Sequence, residues 1–287
     1  MEKIFITGAT GNVGKEVIEK MIKKSADLKI IAGVRDFNKA REKISHKKVT
    51  LRNFDFKDEK LIRKSLQDID KIFLIRPPAI SKVKKYILPV IKEAKRVNVK
   101  HIVFLSLQGV ENNPLVPHYK IEKFIKQEEI PYTFLRPSFF MQNLSTTHRK
   151  EIKENNEIYI PAGAGKTNFI DIRDIAEVAA LVLTEKGHEN TAYELTGKEA
   201  LSYYEIANIL SDKLGRKIEY KDPAIIKFFF RKKKEGLNLG KILVMIGLYT
   251  VAKLGKADKT NKQIQNLLGK EPISFSKFVT DYKEVWM

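Results

Sequence analysis

Residues Met1 to Gly14 read MEKIFITGATGNVG. An apolar run through Ile4, Phe5 and Ile6 ends abruptly in glycines at Gly8, Gly11 and Gly14. A helical pattern follows at once, with Val13, Val17, Ile18, Met21 and Ile22 at helical spacing. Strand, glycine turn and helix, in that order, are the setting in which Gly-x-x-Gly-x-x-Gly binds a dinucleotide. Gly8 permits the tight turn, Gly11 lets the backbone approach a pyrophosphate, and Gly14 lets the helix pack close to the strand. The helix N-terminus then offers free N–H groups to the phosphates, and Thr10 and Asn12 add short polar side chains beside them.

Outward from this turn, short β runs alternate with amphipathic stretches. The strand-like runs are Lys3–Thr7, Lys29–Val34, Val49–Phe54, Lys71–Ile75, His101–Ser106 and Thr133–Leu135. Several are apolar on both faces, which suits a parallel sheet buried on both sides. Ile80 to Val97 reads as a helix with an irregular start at Pro89. The alternation predicts an α/β protein with a doubly wound parallel sheet. After Pro137 the connections lengthen, and from Ser202 the pattern is mostly helical, with one strand expected at Lys217–Tyr220. Residues 1–137 therefore read as a nucleotide-binding core, to which strands and helices up to about 195 contribute. Residues 138–287 read as a smaller, discontinuous, mostly helical lobe sharing that core.

The second strand ends in Gly33-Val-Arg-Asp36. An acid there binds the ribose 2′-OH of NAD, whereas an arginine accommodates the 2′-phosphate of NADP. Both are present; Arg35 comes first and Lys39 adds charge, so the pattern favours NADP(H) and leaves NAD(H) open. Asp55, at the end of the third strand, is placed to reach the adenine edge beside Phe56, or else caps a helix from Lys57.

The 287 residues carry a net charge of +19, from 54 Lys and Arg against 35 Asp and Glu. The lysines are spread along the chain, which favours a solvated basic surface over a nucleic-acid partner. Arg231-Lys-Lys-Lys234 is the one dense cluster, and four charges do not make a nucleic-acid patch. The longest apolar stretch, Ile242 to Ala252, is well short of the ~20 residues a bilayer span requires. Glu2 and Lys3 lead straight into a strand, which argues against a signal peptide. The absence of cysteine removes disulfides and thiolate sites and fits a reducing cytoplasm, the expected location.

These features together resemble the NmrA-like family of atypical short-chain dehydrogenases, which includes quinone oxidoreductases, triphenylmethane-type reductases and NADP-sensing regulators. The segments that carry the resemblance are TGATGNVG, GVRD, NFDFKD, LSLQGV, HYKIEKFI, IPYTFLRPSFFMQN, FIDIRDIAEVAALVL and YELTGKEALSYYEIA, with LLGKEPISFSKFVTDY at the close. The resemblance implies a Rossmann fold with cofactor contacts at Gly8, Thr10, Gly11, Asn12, Val13, Gly14, Arg35, Asp55, Phe56, Ile75, Arg76 and Ser106. It implies a nicotinamide near Leu107, Gln108 and His118. It places an aromatic or quinone-like substrate near Gln108, Phe139, Phe140 and Asn143. The two phenylalanines could equally be core packing between the lobes.

Short-chain dehydrogenases usually use Tyr-x-x-x-Lys, in which the ammonium lowers the tyrosine pKa. Tyr119 and Lys123 have that spacing, but register argues against them. In the wider superfamily the lysine sits roughly five helical turns before the arginine of the next strand's Arg-Pro pair. Lys123 is 13 residues before Arg136, whereas His118 is 18 before it. His118, with Glu122 four residues on, matches the family pattern better, and the usual tyrosine would fall near Pro114. Ketone reduction would then lack its proton donor, while a quinone or dye accepts hydride at a ring atom and takes its proton from water. His118 is the one catalytic candidate, to orient substrate or nicotinamide or to donate a proton.

Pro161-Ala-Gly-Ala-Gly-Lys-Thr167 resembles the end of a nucleotide phosphate loop, but Ile160 stands where the first glycine belongs, so a glycine turn is expected. Asp171 and Asp174 read as helix-start acids rather than metal ligands, and the five histidines have no ligand spacing, so no metal is expected. The sequence thus points to an NAD(P)H-dependent reductase of quinone-like or other conjugated acceptors, acting as a monomer or homodimer. The alternative is a non-catalytic NADP-binding redox sensor.

Overall fold

A computed structural model describes residues 1–24 and 28–287. In chain order it begins with β1 (Glu2–Ile6), α1 (Asn12–Lys24), β2 (Leu28–Val34), α2 (Phe37–Lys43), β3 (Val49–Asn53) and α3 (Glu59–Ser65). It continues with β4 (Lys71–Leu74), α4 (Val83–Tyr86), α5 (Leu88–Arg96), β5 (His101–Leu105), α6 (Pro117–Gln127) and β6 (Tyr132–Pro137). Then come β7 (Phe139–Phe140), α7 (Gln142–Ser145), α8 (Arg149–Asn155), β8 (Glu157–Tyr159), β9 (Lys166–Ile170), α9 (Ile172–Thr184) and β10 (Thr191–Leu195). The remainder is β11 (Ala200–Ser202), α10 (Tyr203–Leu214), β12 (Glu219–Lys221), α11 (Ile225–Lys234), α12 (Leu239–Lys253), α13 (Gln263–Leu268) and α14 (Phe275–Asp281). Two compact units result: Met1–Pro137 with Ile172–Leu195, and Ser138–Asp171 with Thr196–Met287.

The first unit is a seven-stranded parallel sheet in the order β10-β6-β5-β4-β1-β2-β3, a Rossmann-type doubly wound sheet. The order reverses between β1 and β4, which sets the topological switch point beside the glycine turn. Ile4, Phe5 and Ile6 are all fully buried, as a strand covered on both faces requires. Phe5, Ile31, Phe54, Ile72, Phe104 and Phe134 pack on one face with α3, α5 and α6. On the other face α1 packs against α9, flanked by ion pairs Lys20–Glu177 (2.6 Å) and Lys24–Glu185 (2.7 Å). The helix expected over Ile80–Val97 is two helices, α4 and α5, meeting at Ile87, with Pro89 in the first turn of α5. There its missing N–H has no intrahelical role. Asp55 does not cap a helix from Lys57. The helix starts two residues later and Asp58 caps it, accepting from the N–H groups of Lys60 and Leu61.

The second unit buries Phe169, Tyr203, Phe228, Tyr249, Phe275, Phe278 and Trp286 in one core. It contains three strands the sequence pattern does not announce: β7, β9 and β11, with β9 in the middle. Each is short, and β9 begins within the Pro161–Thr167 stretch, directly after its last glycine. That turn is structural: Gly163 has φ +59°, and a Cβ on Gly165 would meet the Ala252 carbonyl oxygen at 2.0 Å. The expected strand at Lys217–Tyr220 is shifted to Glu219–Lys221, where it pairs with β8.

The basic cluster on α11 is not a uniformly solvated face. Arg231 pairs with Glu157 and Glu235, and Lys232 is buried and pairs with Glu151 and Glu235. Glu151 also accepts from His148 Nδ1 (3.0 Å), while His148 Nε2 accepts from the Tyr249 hydroxyl (2.7 Å). Burial pushes the Tyr249 hydroxyl pKa up, so the phenol keeps the proton it donates. Burial, and then Lys232, push His148 down to about 3, leaving the ring neutral.

His101 is similarly buried. Thr133 donates its hydroxyl hydrogen to the His188 carbonyl, so His101 Nε2 must donate to Thr133 Oγ1 at 2.8 Å. Burial, and then Lys71, hold this ring down to about 4. In the unfolded chain both histidines take a proton near their ordinary value of 6.5. Below that pH the unfolded state binds more protons than the folded one, so stability falls as pH falls. The expected loss is about 1.4 kcal/mol per histidine for each pH unit below 6.5, until the folded values are reached. Urea unfolding at stepped pH reads this directly; a midpoint that held constant from pH 7 to pH 5 would show the rings charged in the folded state.

Candidate functional site

The carboxyl ends of β1 to β5 bring most of the expected cofactor residues to one edge of the first unit. Gly8 has φ +60°, which a side chain would strain, and a Cβ there would lie 3.2 Å from Ile75 Cβ. A Cβ on Gly14 would lie 2.3 Å from the Gly8 carbonyl oxygen, so α1 packs on the turn only because position 14 has no side chain. Gly11 N–H donates to Gly8 O at 2.9 Å and closes the turn. Gly11 and Asn12 are exposed, Thr10 is half-buried, and the Val13 side chain is in the core, leaving its backbone for a ligand. The first turn of α1 holds no acidic side chain, so nothing on that turn offsets its positive end.

Thr7 is a site residue that sequence reasoning passes over. Fully buried, it accepts from Ile75 N–H at 2.7 Å and donates to Ile75 O at 3.1 Å, joining the ends of β1 and β4 at the switch point. Its only sequence signal is a polar residue at the end of an apolar strand.

At the end of β2 the two candidate charges separate. Asp36 caps α2, accepting from Lys39 N–H at 3.1 Å, and makes a loose 3.8 Å ion pair with the Lys39 ammonium. Arg35 is exposed and pairs with no carboxylate among the described residues. At the end of β3, Asp55 is half-buried and accepts from Lys57 N–H at 2.9 Å. The Phe56 ring is not presented to a ligand; it is buried edge-on to Phe54 at 4.8 Å, so only its backbone is available.

Arg76 follows β4. One of its terminal nitrogens, Nη1, donates to the carbonyls of Pro77, Pro78 and Ile80 at 3.0, 3.2 and 2.8 Å. No carboxylate among the described residues faces it, its Nε is buried without a partner there, and burial holds its pKa below the ordinary value. Two more buried polar atoms lack partners nearby in the fold: Gln108 Nε2 beyond β5 and His118 Nδ1 in the first turn of α6. The His118 ring stacks on Phe104 at 5.8 Å. Burial, and then the Arg76 charge, press it down to about 3, so the ring is neutral near pH 7.

Ser106 differs from expectation. Its buried hydroxyl donates to Glu122 Oε1 at 2.6 Å and is committed to the protein. Glu122 is the hub here, taking two hydrogen bonds from Arg136 (3.1 and 2.7 Å), whose remaining nitrogen pairs with Glu111 at 2.9 Å. Burial works against the Arg136 charge, but Glu122 and then Glu111 outweigh it and hold its pKa above the ordinary value. Tyr119 is half-buried on α6, and Lys123 is exposed.

The expected substrate residues Phe139, Phe140 and Asn143 belong to the second unit. The phenylalanines are half-buried in β7, Phe139 edge-on to Phe169 at 6.3 Å, and Asn143 is exposed on α7. Asp174 lies in the first turn of α9, and Asp171 accepts from Gln142 Nε2 at 2.8 Å. Among the described residues no group of His, Asp and Glu could hold a metal ion.

Removing one partner of a buried ion pair strands the other charge. Glu122→Ala is therefore expected to cost about 3–5 kcal/mol in urea unfolding, while a Glu122→Met/Arg136→Met double variant should recover most of that. A double variant as unstable as the single one would show that packing at Glu122, not charge pairing, matters.

The sequence profile of the NmrA-like family matches residues 1–270. An NAD(P)H azoreductase of Xenophilus azovorans is 36% identical over 223 residues, 76% of each chain. Prestalk A differentiation protein A of Dictyostelium discoideum is 30% identical over 278 residues, 97% of this chain and 91% of the relative. Among solved structures, the NADPH-dependent quinone oxidoreductase of Escherichia coli complexed with NADPH superposes with a TM-score of 0.88 at 29% identity, covering 97% of this chain and 99% of the other. With the profile spanning the glycine turn, the switch point and most of the second unit, this chain belongs to the NmrA-like family.

Proposed function

We propose that this protein is an NADPH-dependent reductase of quinone-like or other conjugated small molecules, such as azo compounds. The observation that carries the reading is the uncompensated polarity at the strand ends. Arg76, Gln108 and His118 each bury a polar atom without a partner, and Arg76 is a half-buried cation that faces no carboxylate among the described residues. Buried polar groups left in this way point to a ligand that completes them. The open N-terminus of α1 and the bare backbone at Gly11 fit a pyrophosphate in the same part of the sheet. The azoreductase and quinone oxidoreductase relatives support the same chemistry.

NADP is favoured over NAD because of what Asp36 already does. Its carboxylate caps α2, so binding a ribose 2′-OH would compete with the cap, whereas Arg35 is free to meet a 2′-phosphate. When bound, NADPH supplies the hydride. Around it, Gly8, Thr10, Gly11, Asn12, Val13 and Gly14 would hold the pyrophosphate. Backbone at Asp55, Phe56 and Ile75 would line the adenosine side, and Arg76 would bring positive charge. Gln108 and His118 would orient the nicotinamide or the acceptor, with Phe139, Phe140 and Asn143 as acceptor contacts. Ser106 would act through Glu122.

His118 is read as a positioning residue. A neutral ring offers an N–H or a lone pair, but it carries no extra proton for an alkoxide. Tyr119 and Lys123 are read as lacking a catalytic part, since Lys123 is solvated. Acceptors that take hydride at a ring atom and their proton from water fit a site of this kind.

Titration with NADPH and NADH, followed by NADPH oxidation with quinones and azo dyes, tests the reading. NADPH should bind more tightly than NADH, and turnover should appear with at least one acceptor class. Tight NADPH binding with no turnover across the panel would favour the redox sensor instead. Arg35→Gln should weaken NADPH by roughly tenfold to a hundredfold while sparing NADH, because a charged hydrogen bond is worth about 1.5–3 kcal/mol. His118→Gln should keep most turnover, with a pH profile unchanged in shape. Loss of a titrating limb in that variant would make His118 a proton donor.

A further inference from the structure

The second unit carries an apolar face that no other described residue of that unit covers. On α12, Ile242, Met245, Tyr249 and Ala252 form the buried stripe. Leu243, Val244, Leu248 and Val251 project on the opposite side, and Val244 is 62% exposed. No charged residue occurs between Lys241 and Lys253, so the outer face of α12 is wholly apolar for three turns. The adjoining α11 adds Ile226 and Phe230, 69% and 62% exposed. Scattered exposed apolar residues are ordinary, but a contiguous set on two packed helices marks an interaction surface.

The charge around this face identifies what would cover it. Residues 223–257 hold eight Lys and Arg but one carboxylate, Glu235. Arg231 and Lys232 turn inward to Glu157, Glu151 and Glu235. That leaves Lys227, Lys233, Lys234, Lys241, Lys253 and Lys256, all exposed and none ion-paired among the described residues. A second copy on this face would set lysines against lysines on chains that each carry +19. An anionic lipid surface satisfies both features at once, taking apolar side chains among its acyl chains and ammonium groups at its phosphates. No helix among the described residues is long and apolar enough to cross a membrane, and α12 has 15 residues, so the pair would lie in the interface.

We propose that the α11–α12 pair docks this protein on anionic phospholipid bilayers. Its inward-facing Arg231 and Lys232 fasten α11 to β8 and α8, so that Ile226, Phe230 and the outer face of α12 are held outward.

Co-sedimentation of the full chain with phosphatidylglycerol vesicles and with phosphatidylcholine vesicles tests this. Binding is expected to the first and not the second, and added salt should weaken it. Lys233→Gln/Lys234→Gln should lower partitioning roughly thirtyfold, at about fivefold per charge. Leu243→Gln/Leu248→Gln should abolish it. All four side chains are exposed, so the thermal midpoints of both variants should stay close to that of the parent. Equal binding to both vesicle types, binding to neither, or binding that survives both variants would overturn the proposal. So would a concentration-dependent dimer that Leu243→Gln/Leu248→Gln abolishes, since a second copy would then cover the face. The readout is lipid partitioning, not turnover, and so it stands apart from the reductase reading.

Discussion

A missing methyl group at position 14 governs the first unit. With no side chain there, α1 settles onto the Gly8 carbonyl and begins directly beyond β1. The same turn brings Thr7 against Ile75, so the strands flanking the switch point are joined by side chain as well as by ladder. Gly8 then takes a left-handed conformation, with Ile75 close enough to meet any Cβ placed there. These constraints interlock over eight residues. A Cβ at Gly14 would push α1 off the turn, and its N–H groups would no longer point past the strand ends. A phosphate site of this kind depends on that aim more than on any charged side chain.

The polar groups around the strand ends divide into two classes with different physics. Glu122 and Arg136 satisfy one another, with Ser106 and Glu111 completing the set. Such a closed network holds the middle of α6 against the ends of β5 and β6 and leaves little for a ligand. Arg76, Gln108 and His118 are the opposite, since each keeps unused hydrogen-bonding capacity in a place where water does not reach. Leaving such groups unsatisfied costs folding stability. Keeping them beside a glycine turn is consistent with a fold whose stability is completed by its ligand.

The second unit solves a related problem in a different way. Lys232 and Glu151 are both buried, and an isolated buried charge of either sign would be very costly. They offset each other; His148 donates to the second oxygen of Glu151 and accepts from Tyr249, while Glu235 takes a further Lys232 donor. The network ties α8, α11 and α12 together at their inner faces. That arrangement explains how a helix as apolar as α12 can hold one stripe inside while presenting a second stripe outside. Packing alone would not choose between the two stripes, whereas the Tyr249 hydroxyl can reach His148 from only one of them.

Much of the first unit was legible in the sequence because its signals are local. Strand runs apolar on both faces, separated by amphipathic stretches, require a covered parallel sheet, and three glycines at fixed spacing require a close strand-to-helix turn. The short strands β7, β9 and β11 were not legible, since pairs of two to five residues are stabilised by partners distant in sequence. Family membership could likewise be read from segments such as LRPSFFMQN and FIDIRDIA. Tertiary structure alone decided what each polar side chain faces. Arg35 and Asp36 are neighbours in sequence, yet the start of α2 occupies the carboxylate and leaves the guanidinium exposed. Ser106 and Gln108 differ by two positions, and only one of them meets a partner. Arg231 to Lys234 look equivalent as a run, but a helix turns about 100° per residue and delivers two of them to carboxylates on the inner side, half-buried Glu157 and buried Glu151. Composition sets how many charges a chain has; the packing of elements far apart in sequence determines which of them stay uncompensated and free to bind.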